Sequence, residues 1–319
     1  MDLVTLGNML NIALVFSTAL ILTAMGGILS ERSGIINIGL EGLMMAGAFA
    51  SAVAAYHAQE AGFGAATPWI GMLAGGLCGV LYSLLHAVAT ISFRANQVVS
   101  GIVINFIAAG STVYLVKQLF EGAGETSLVN ETFHKVAIPL LSDIPVIGEG
   151  LFHAYPTTYL AFVLVAIISY TLYKTPFGLR LRAVGEHPGA ADTVGIKVLR
   201  MRYTAVLLSG FLAGLGGATI AMTTTGSFSH NTISGQGFIA LAAVIFGKWN
   251  PLGAMGAAIF FGFATSINNI LQLFDFAKSI PAEFIYMLPY VLTIIVLVGA
   301  IGRSRAPSAL GEPYFAGKR

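Results

Sequence analysis

Asn8-Met-Leu-Asn-Ile-Ala-Leu-Val-Phe-Ser-Thr-Ala-Leu-Ile-Leu-Thr-Ala-Met-Gly-Gly-Ile-Leu29 runs for 22 residues without an Asp, Glu, Lys or Arg. As an α-helix it would reach roughly 33 Å, enough to cross the ~30 Å hydrocarbon core of a bilayer. Windows of the same kind recur along the chain, roughly at 38–57, 69–91, 97–119, 157–173, 203–225, 235–247, 251–271 and 283–301. They are too long for barrel strands and lack period-two alternation. The expectation is an all-α membrane protein, a polytopic bundle of about nine segments (eight to ten) in a lipid bilayer. Segment 235–247 reaches only about 20 Å as a helix, so it reads as a half-helix or borrows neighbouring residues.

Composition agrees. Of 319 residues 56% are hydrophobic and 9% charged, against about 25% charged in a typical soluble domain. Mean hydropathy is +0.83. Residues 1–319 therefore read as one transmembrane domain. The net charge is +2 with no long basic run, so no nucleic-acid partner is expected. Cys78 alone cannot form an internal disulfide. Met1 to Leu6 lacks the basic region of a secretory signal, and the first apolar run reads as a retained helix.

The 16 Lys and Arg residues orient the bundle. With the N-terminus outside, the inner connections hold 13: Arg32, Arg94, Lys174, Arg180, Arg182, Lys197, Arg200, Arg202, Lys248, Arg303, Arg305, Lys318 and Arg319. The outer connections hold 3: Lys117, Lys135 and Lys278. Positive charge gathers inside, so the expected topology is N-out and C-in. The longest outer connection, 120–156, carries Glu121, Glu125, Glu131, Asp143 and Glu149. It reads either as a partner-receiving surface or as an ordinary solvated loop.

Gly is the material of several spans. Gly75-x-x-x-Gly79 and Gly210-x-x-x-Gly214 match the small-xxx-small spacing that lets helix backbones touch in lipid. Polar residues inside spans are costly and so more informative. They are Asn37, Glu41, Gln97, Asn105, Asn268, Asn269 and Gln272, mostly neutral amides. Singly, an amide is more often an interhelical hydrogen-bond partner than a solute contact. As a set they suit a path for an uncharged polar solute, with Asn37, Glu41, Asn105, Asn268 and Asn269 as the candidate pathway residues.

Several chemistries are missing. No phosphate-binding loop is present: Gly247-Lys248 is followed by Trp249, and Ala242 stands where the first Gly belongs. There is no His/Glu or Cys/His metal pattern and no nucleophile elbow. No catalytic residue, metal or cofactor is expected, and any ATP hydrolysis belongs to another chain.

The largest inner connection, 174–202, has the core Glu186-His-Pro-Gly-Ala-Ala-Asp-Thr-Val-Gly-Ile196. Pro188 fits a helix's first turn and Gly195 its C-terminal cap. A short helix lying along the membrane suits docking by a partner; a solvated basic loop suits the charges equally well.

Here a resemblance enters. Ala190-Ala191-x-x-x-Gly195 resembles the coupling loop of ABC-transporter permeases, with Glu186, Pro188, Ala190, Ala191 and Gly195 as the coupling residues. Glu31-Arg-Ser-Gly-Ile-Ile-Asn-Ile-Gly-Leu-Glu-Gly42, Gly235-Gln-Gly-Phe-Ile-Ala240, Gly247-Lys-Trp-Asn-Pro-Leu-Gly253 and Ala309-Leu-Gly-Glu-Pro-Tyr314 are similar to the permeases serving branched-chain amino acids, ribose-type sugars and nucleosides. The match spans nearly the whole chain and most resembles the nucleoside branch, as the shorter of its two permease types. The resemblance implies a subunit of a bacterial inner-membrane importer. Its partners would be a second permease, ABC ATPase subunits and an extracytoplasmic solute-binding protein. The small-molecule solute would be a nucleoside, then a simple sugar, then a branched-chain amino acid. An ion-coupled secondary transporter and a purely structural membrane subunit are the rival classes.

Overall fold

A computed structural model describes residues 3–139, 147–271, 287, 291 and 305–315. Helix α1 (Leu3–Arg32) extends the quoted window at both ends. After it the chain turns at Gly34, whose φ of +91° favours glycine, and stays non-helical to residue 39. Then come α2 (Leu40–Glu60) and α3 (Thr67–Ala87), the latter running on as a π-turn over 88–92. Helix α4 (Gln97–Leu119) starts where it does because the Asn96 side chain accepts the N–H groups of Val98 and Val99 at 2.9 and 3.1 Å.

Strand β1 (Val136–Ala137), helix α5 (Ile147–Leu151) and strand β2 (His153–Ala154) follow, with the two strands paired antiparallel. Helices α6 (Pro156–Lys174), α7 (Pro176–Glu186) and α8 (Pro188–Thr193) each open on proline, whose fixed φ suits a first turn. Helix α9 (Val198–Ile220) ends in a second π-turn, 221–225. Helices α10 (Gln236–Phe246) and α11 (Pro251–Leu271) complete the described helices.

Five described stretches are long and apolar enough to cross a membrane: Met9–Arg32, Gly64–Ser92, Gln97–Leu119, Pro156–Lys174 and Val198–Thr225. The expected 38–57 window is helical from Leu40 but is not among them, being built of Ala, Gly, Ser and Met and running on to His57, Gln59 and Glu60. Helix α10 and the Pro251–Ser266 part of α11 are shorter apolar helices. The expected 283–301 segment lies outside the described residues apart from Met287 and Val291.

Two expected connections are more ordered than their composition implied. The 120–156 connection contains α5 and a β pair of two residues per strand, a local addition to a mostly helical chain. The 174–202 connection contains the whole of α7, and its last residues open α9. Arg202, expected in that connection, is a helix residue and only 1% exposed.

The two glycine motifs meet face to face. A Cβ on Gly79 would collide with the Gly210 carbonyl and lie 3.0 Å from Gly214 Cα, and one on Gly214 would collide with the Gly75 carbonyl. Helices α3 and α9 therefore approach to backbone contact, the arrangement small residues permit in lipid. The core around this contact is formed by α1, α2, α3 and α9, with Leu22, Met25, Met44 and Ala218 fully buried.

Candidate functional site: two breaks around α10

Two of the non-helical stretches, 33–39 and 226–235, carry residues buried against the helices: Ile35, Asn37, Phe228 and Ile233. Backbone without helical bonds is tolerated at membrane depth only where protein or a polar cavity satisfies it. At the first break, side chains do so. Gln97 Oε1 accepts the Ile36 N–H at 2.7 Å, and His86 Nε2 donates to the Ile36 carbonyl at 3.1 Å. Asn105 serves two backbone groups: Nδ2 donates to Ile38 O at 3.2 Å and Oδ1 accepts from Gly42 N at 2.8 Å. Asn37 Nδ2 donates to Ser209 Oγ at 3.0 Å.

These contacts set the depth of the break. Gly26 of α1 packs on Ser209, where a Cβ would lie 2.6 Å from the carbonyl oxygen. Gly26 stands six residues before Arg32, about 9 Å along the helix. Between Arg32 and Asn37 the chain thus climbs back into the bundle before α2 begins.

The second break starts where α9 ends. Phe228 is fully buried, edge-on to Phe49 with ring centroids 5.6 Å apart. Residues from the 120–139 stretch cover it: Thr126 N donates to Phe228 O at 2.9 Å, Val129 N to Gly226 O at 2.8 Å and Phe133 N to Met222 O at 3.0 Å. At the other end of the break, Glu41 takes over. Its Oε1 accepts the N–H of Gly235 and its Oε2 that of Gly237, each at 2.6 Å. The carboxylate occupies the positive end of the α10 dipole, where an anion is favourable.

The far end of α10 is held just as firmly. Trp249 Nε1 donates to Glu31 Oε2, and Arg32 Nε donates to Trp249 O at 3.0 Å. Helix α10 is thereby suspended between two carboxylates that bracket the first break. Its 11 residues span about 16 Å, half a hydrocarbon core. Stretch 226–235 and α10 thus form one unit, a non-helical lead-in followed by a short apolar helix.

Of the candidate pathway residues, Asn37, Glu41 and Asn105 are brought together at the breaks. Asn268 and Asn269 lie on α11, with side chains outside the described residues. Gln272 also lies outside the described residues. Sequence reading missed Glu31, Trp249, His86 and Ser209. Glu31 and Trp249 did stand in quoted motifs, but nothing in their spacing joined them.

The 186–196 stretch forms a knob at the bundle end that carries most of the basic residues. Ala191 is buried against Val184 and Val198, while Ala190 is exposed and Val194 is 75% exposed. Gly195 takes φ +83° and donates its N–H to Asp192 O at 2.9 Å. Glu186 Oε2 accepts from Ser308 N at 3.2 Å and from Ser308 Oγ at 2.8 Å. Burial and a hydrogen bond to Asp192 push the Tyr314 phenol above its usual range, so it stays protonated.

Comparison with known proteins follows the same lines. The family described as the branched-chain amino acid transport system / permease component matches residues 8–297. The guanosine ABC transporter permease protein NupQ of Bacillus subtilis is 54% identical over 308 residues, 96% of this chain and 96% of that protein. The nucleoside ABC transporter permease protein NupC of Lactococcus lactis is 49% identical over 307 residues, again covering 96% of each. A putative glucose ABC transporter permease of Haloferax volcanii, TsgC13, is 30% identical over 332 residues, covering 96% of this chain and 97% of its own.

Proposed function

The chain belongs to the permease family of branched-chain amino acid transport systems, and from that membership we propose that it forms the translocation pathway of an ATP-driven nucleoside importer. The observation that carries the solute is the end-to-end likeness to two permeases named for guanosine and nucleosides. A simple sugar is the second reading, carried by the haloarchaeal relative named for glucose.

ATPase subunits and a solute-binding protein complete such a complex, and a second permease would share the pathway. The chain would cross the bacterial cytoplasmic membrane about nine times, N-out and C-in. The 13-to-3 division of Lys and Arg supports that orientation. The cytosolic knob, with Glu186, Pro188, Ala190, Ala191 and Gly195, would seat the ATPase. The exposure of Gly189, Ala190, Val194 and Gly195 along this stretch supports the reading, since it leaves the short helix open to a partner.

In the mechanism, the unit of 226–235 and α10 is the moving part. Asn37, Glu41 and Asn105 shape the pathway wall by holding backbone at the two breaks, and Asn268 and Asn269 of α11 are the further pathway candidates from the sequence. An amide-rich wall whose one carboxylate is engaged by backbone N–H groups suits an uncharged solute rich in donors and acceptors. ATP-driven motion at the knob would shift the bundle between discrete packings, opening the pathway to one side at a time.

Uptake competition tests the solute. Radiolabelled guanosine uptake by cells expressing the complex is expected to fall with excess unlabelled nucleoside and to persist with excess ribose, glucose or leucine. Equal competition by a sugar would replace the nucleoside reading with the second one.

A further inference from the structure

Arg202 lies near the start of α9 and is among the largest fully buried side chains. Its Nε donates to Ser33 O at 3.2 Å and its Nη1 to Glu312 O at 3.1 Å. Among the described residues no carboxylate forms an ion pair with it. Gly34 packs on the guanidinium, where a Cβ would stand 2.9 Å from Nη2 and 3.1 Å from Ala309 O. One cation thus joins three elements distant in sequence: α9, the elbow after α1, and the 305–315 tail.

The tail is tied onward in both directions. Ala309 N donates to Gly185 O at 2.9 Å, and Gly311 N donates to Gly34 O at 3.1 Å. Ser308 bonds Glu186 of α7, and Tyr314 bonds Asp192 of α8. A continuous path of contacts therefore runs from the knob through the tail to the elbow, and from the elbow along 33–39 to Glu41 and α10.

We propose that Arg202 is a positioning residue that makes the tail and the elbow move as one, carrying displacement of the knob to the first break. This rests on reading 186–196 as the seat of the ATPase. A buried guanidinium that donates to two backbone carbonyls loses heavily if one acceptor leaves while the other stays. Ser33 and Glu312 are therefore held to a common motion. The planar fork of arginine reaches two acceptors in fixed directions, which a lysine ammonium does not.

The test uses the whole complex in proteoliposomes, reading nucleoside imported per ATP hydrolysed. Arg202→Met is expected to lower that ratio by about fivefold or more, the scale of a lost coupling. Its ATPase rate should stay within about twofold of wild type, and Arg202→Lys should recover part of the ratio. A wild-type ratio in Arg202→Met, or equal loss of uptake and hydrolysis, overturns the proposal. Arg202→Gln gives a second variant should Arg202→Met fail to reach the membrane: its shorter amide cannot hold both carbonyls, so the ratio is expected to fall in the same way, and a wild-type ratio in it overturns the proposal. Ala191→Trp separates the two readings. An unchanged ratio there overturns the docking reading and the relay with it. An unchanged ratio in Arg202→Met alone overturns the relay and leaves docking standing.

Discussion

The carboxylate of Glu41 accepts the backbone N–H of Gly235, 194 residues further along the chain, at 2.6 Å. The bond joins the start of α2 to the start of α10 and closes the gap between the two breaks. A Cβ on Gly237 would sit 2.8 Å from the same carboxylate, so no side chain fits between them.

Replacing Glu41 with Gln turns one acceptor oxygen into an NH2 group facing a backbone N–H. The expected cost is about 1–3 kcal/mol of stability, the price of a buried unsatisfied donor. Thermal unfolding in detergent measures it, and uptake by the same variant is expected to slow. Unchanged stability and uptake would show that Glu41 does not hold α10.

The other end of α10 yields a double-mutant cycle. Trp249→Phe keeps most of the ring volume and removes the donor to Glu31, while Glu31→Gln removes the charge. The interaction energy is expected at about 1.5–3 kcal/mol, as for hydrogen bonds to charged groups. Additive single effects would mean the contact contributes nothing.

Gly79→Leu forces α3 away from the Gly210 carbonyl. Overpacking of this kind costs about 1–3 kcal/mol or more. Gly110→Leu is the comparison, because nothing lies within 4 Å of a Cβ there. Melting of the isolated chain is expected to drop clearly for the first variant and little for the second.

Orientation is read by labelling single cysteines with a membrane-impermeant maleimide in a Cys78→Ala background. Thr193→Cys on α8 is expected to react only from the cytosolic side, and Ser127→Cys only from the outside. Both positions are exposed. The reverse pattern would invert the topology.

Much of this architecture is legible in the residues themselves. The apolar windows gave α1, α4, α6 and α11 within a few residues, because no alternative to a helix satisfies so long an apolar backbone in lipid. Gly75, Gly79, Gly210 and Gly214 were legible as contact points, though not as one another's partners. The break at 33–39 falls mostly in the connection left between the 8–29 and 38–57 windows; its burial was not legible, because the residues that cover Ile35 and Asn37 lie far away in sequence. Asn37, Gln97 and Asn105 stood out as polar groups in apolar surroundings. Their use, satisfying backbone across the bundle, depends on pairings 61 to 172 residues apart. Arg202 looked like topology-setting charge because its burial comes from the elbow and the tail, neither of which is near it in sequence.

The central claim is that this chain is a conduit driven by another chain's ATPase. It is tested by reconstituting the purified chain in liposomes, alone and with its second permease, ATPase and binding-protein partners, and following labelled nucleoside. Accumulation is expected only in the complete complex and only while ATP is hydrolysed. Nucleoside entry catalysed by this chain alone, or driven by an imposed ion gradient, would contradict the account.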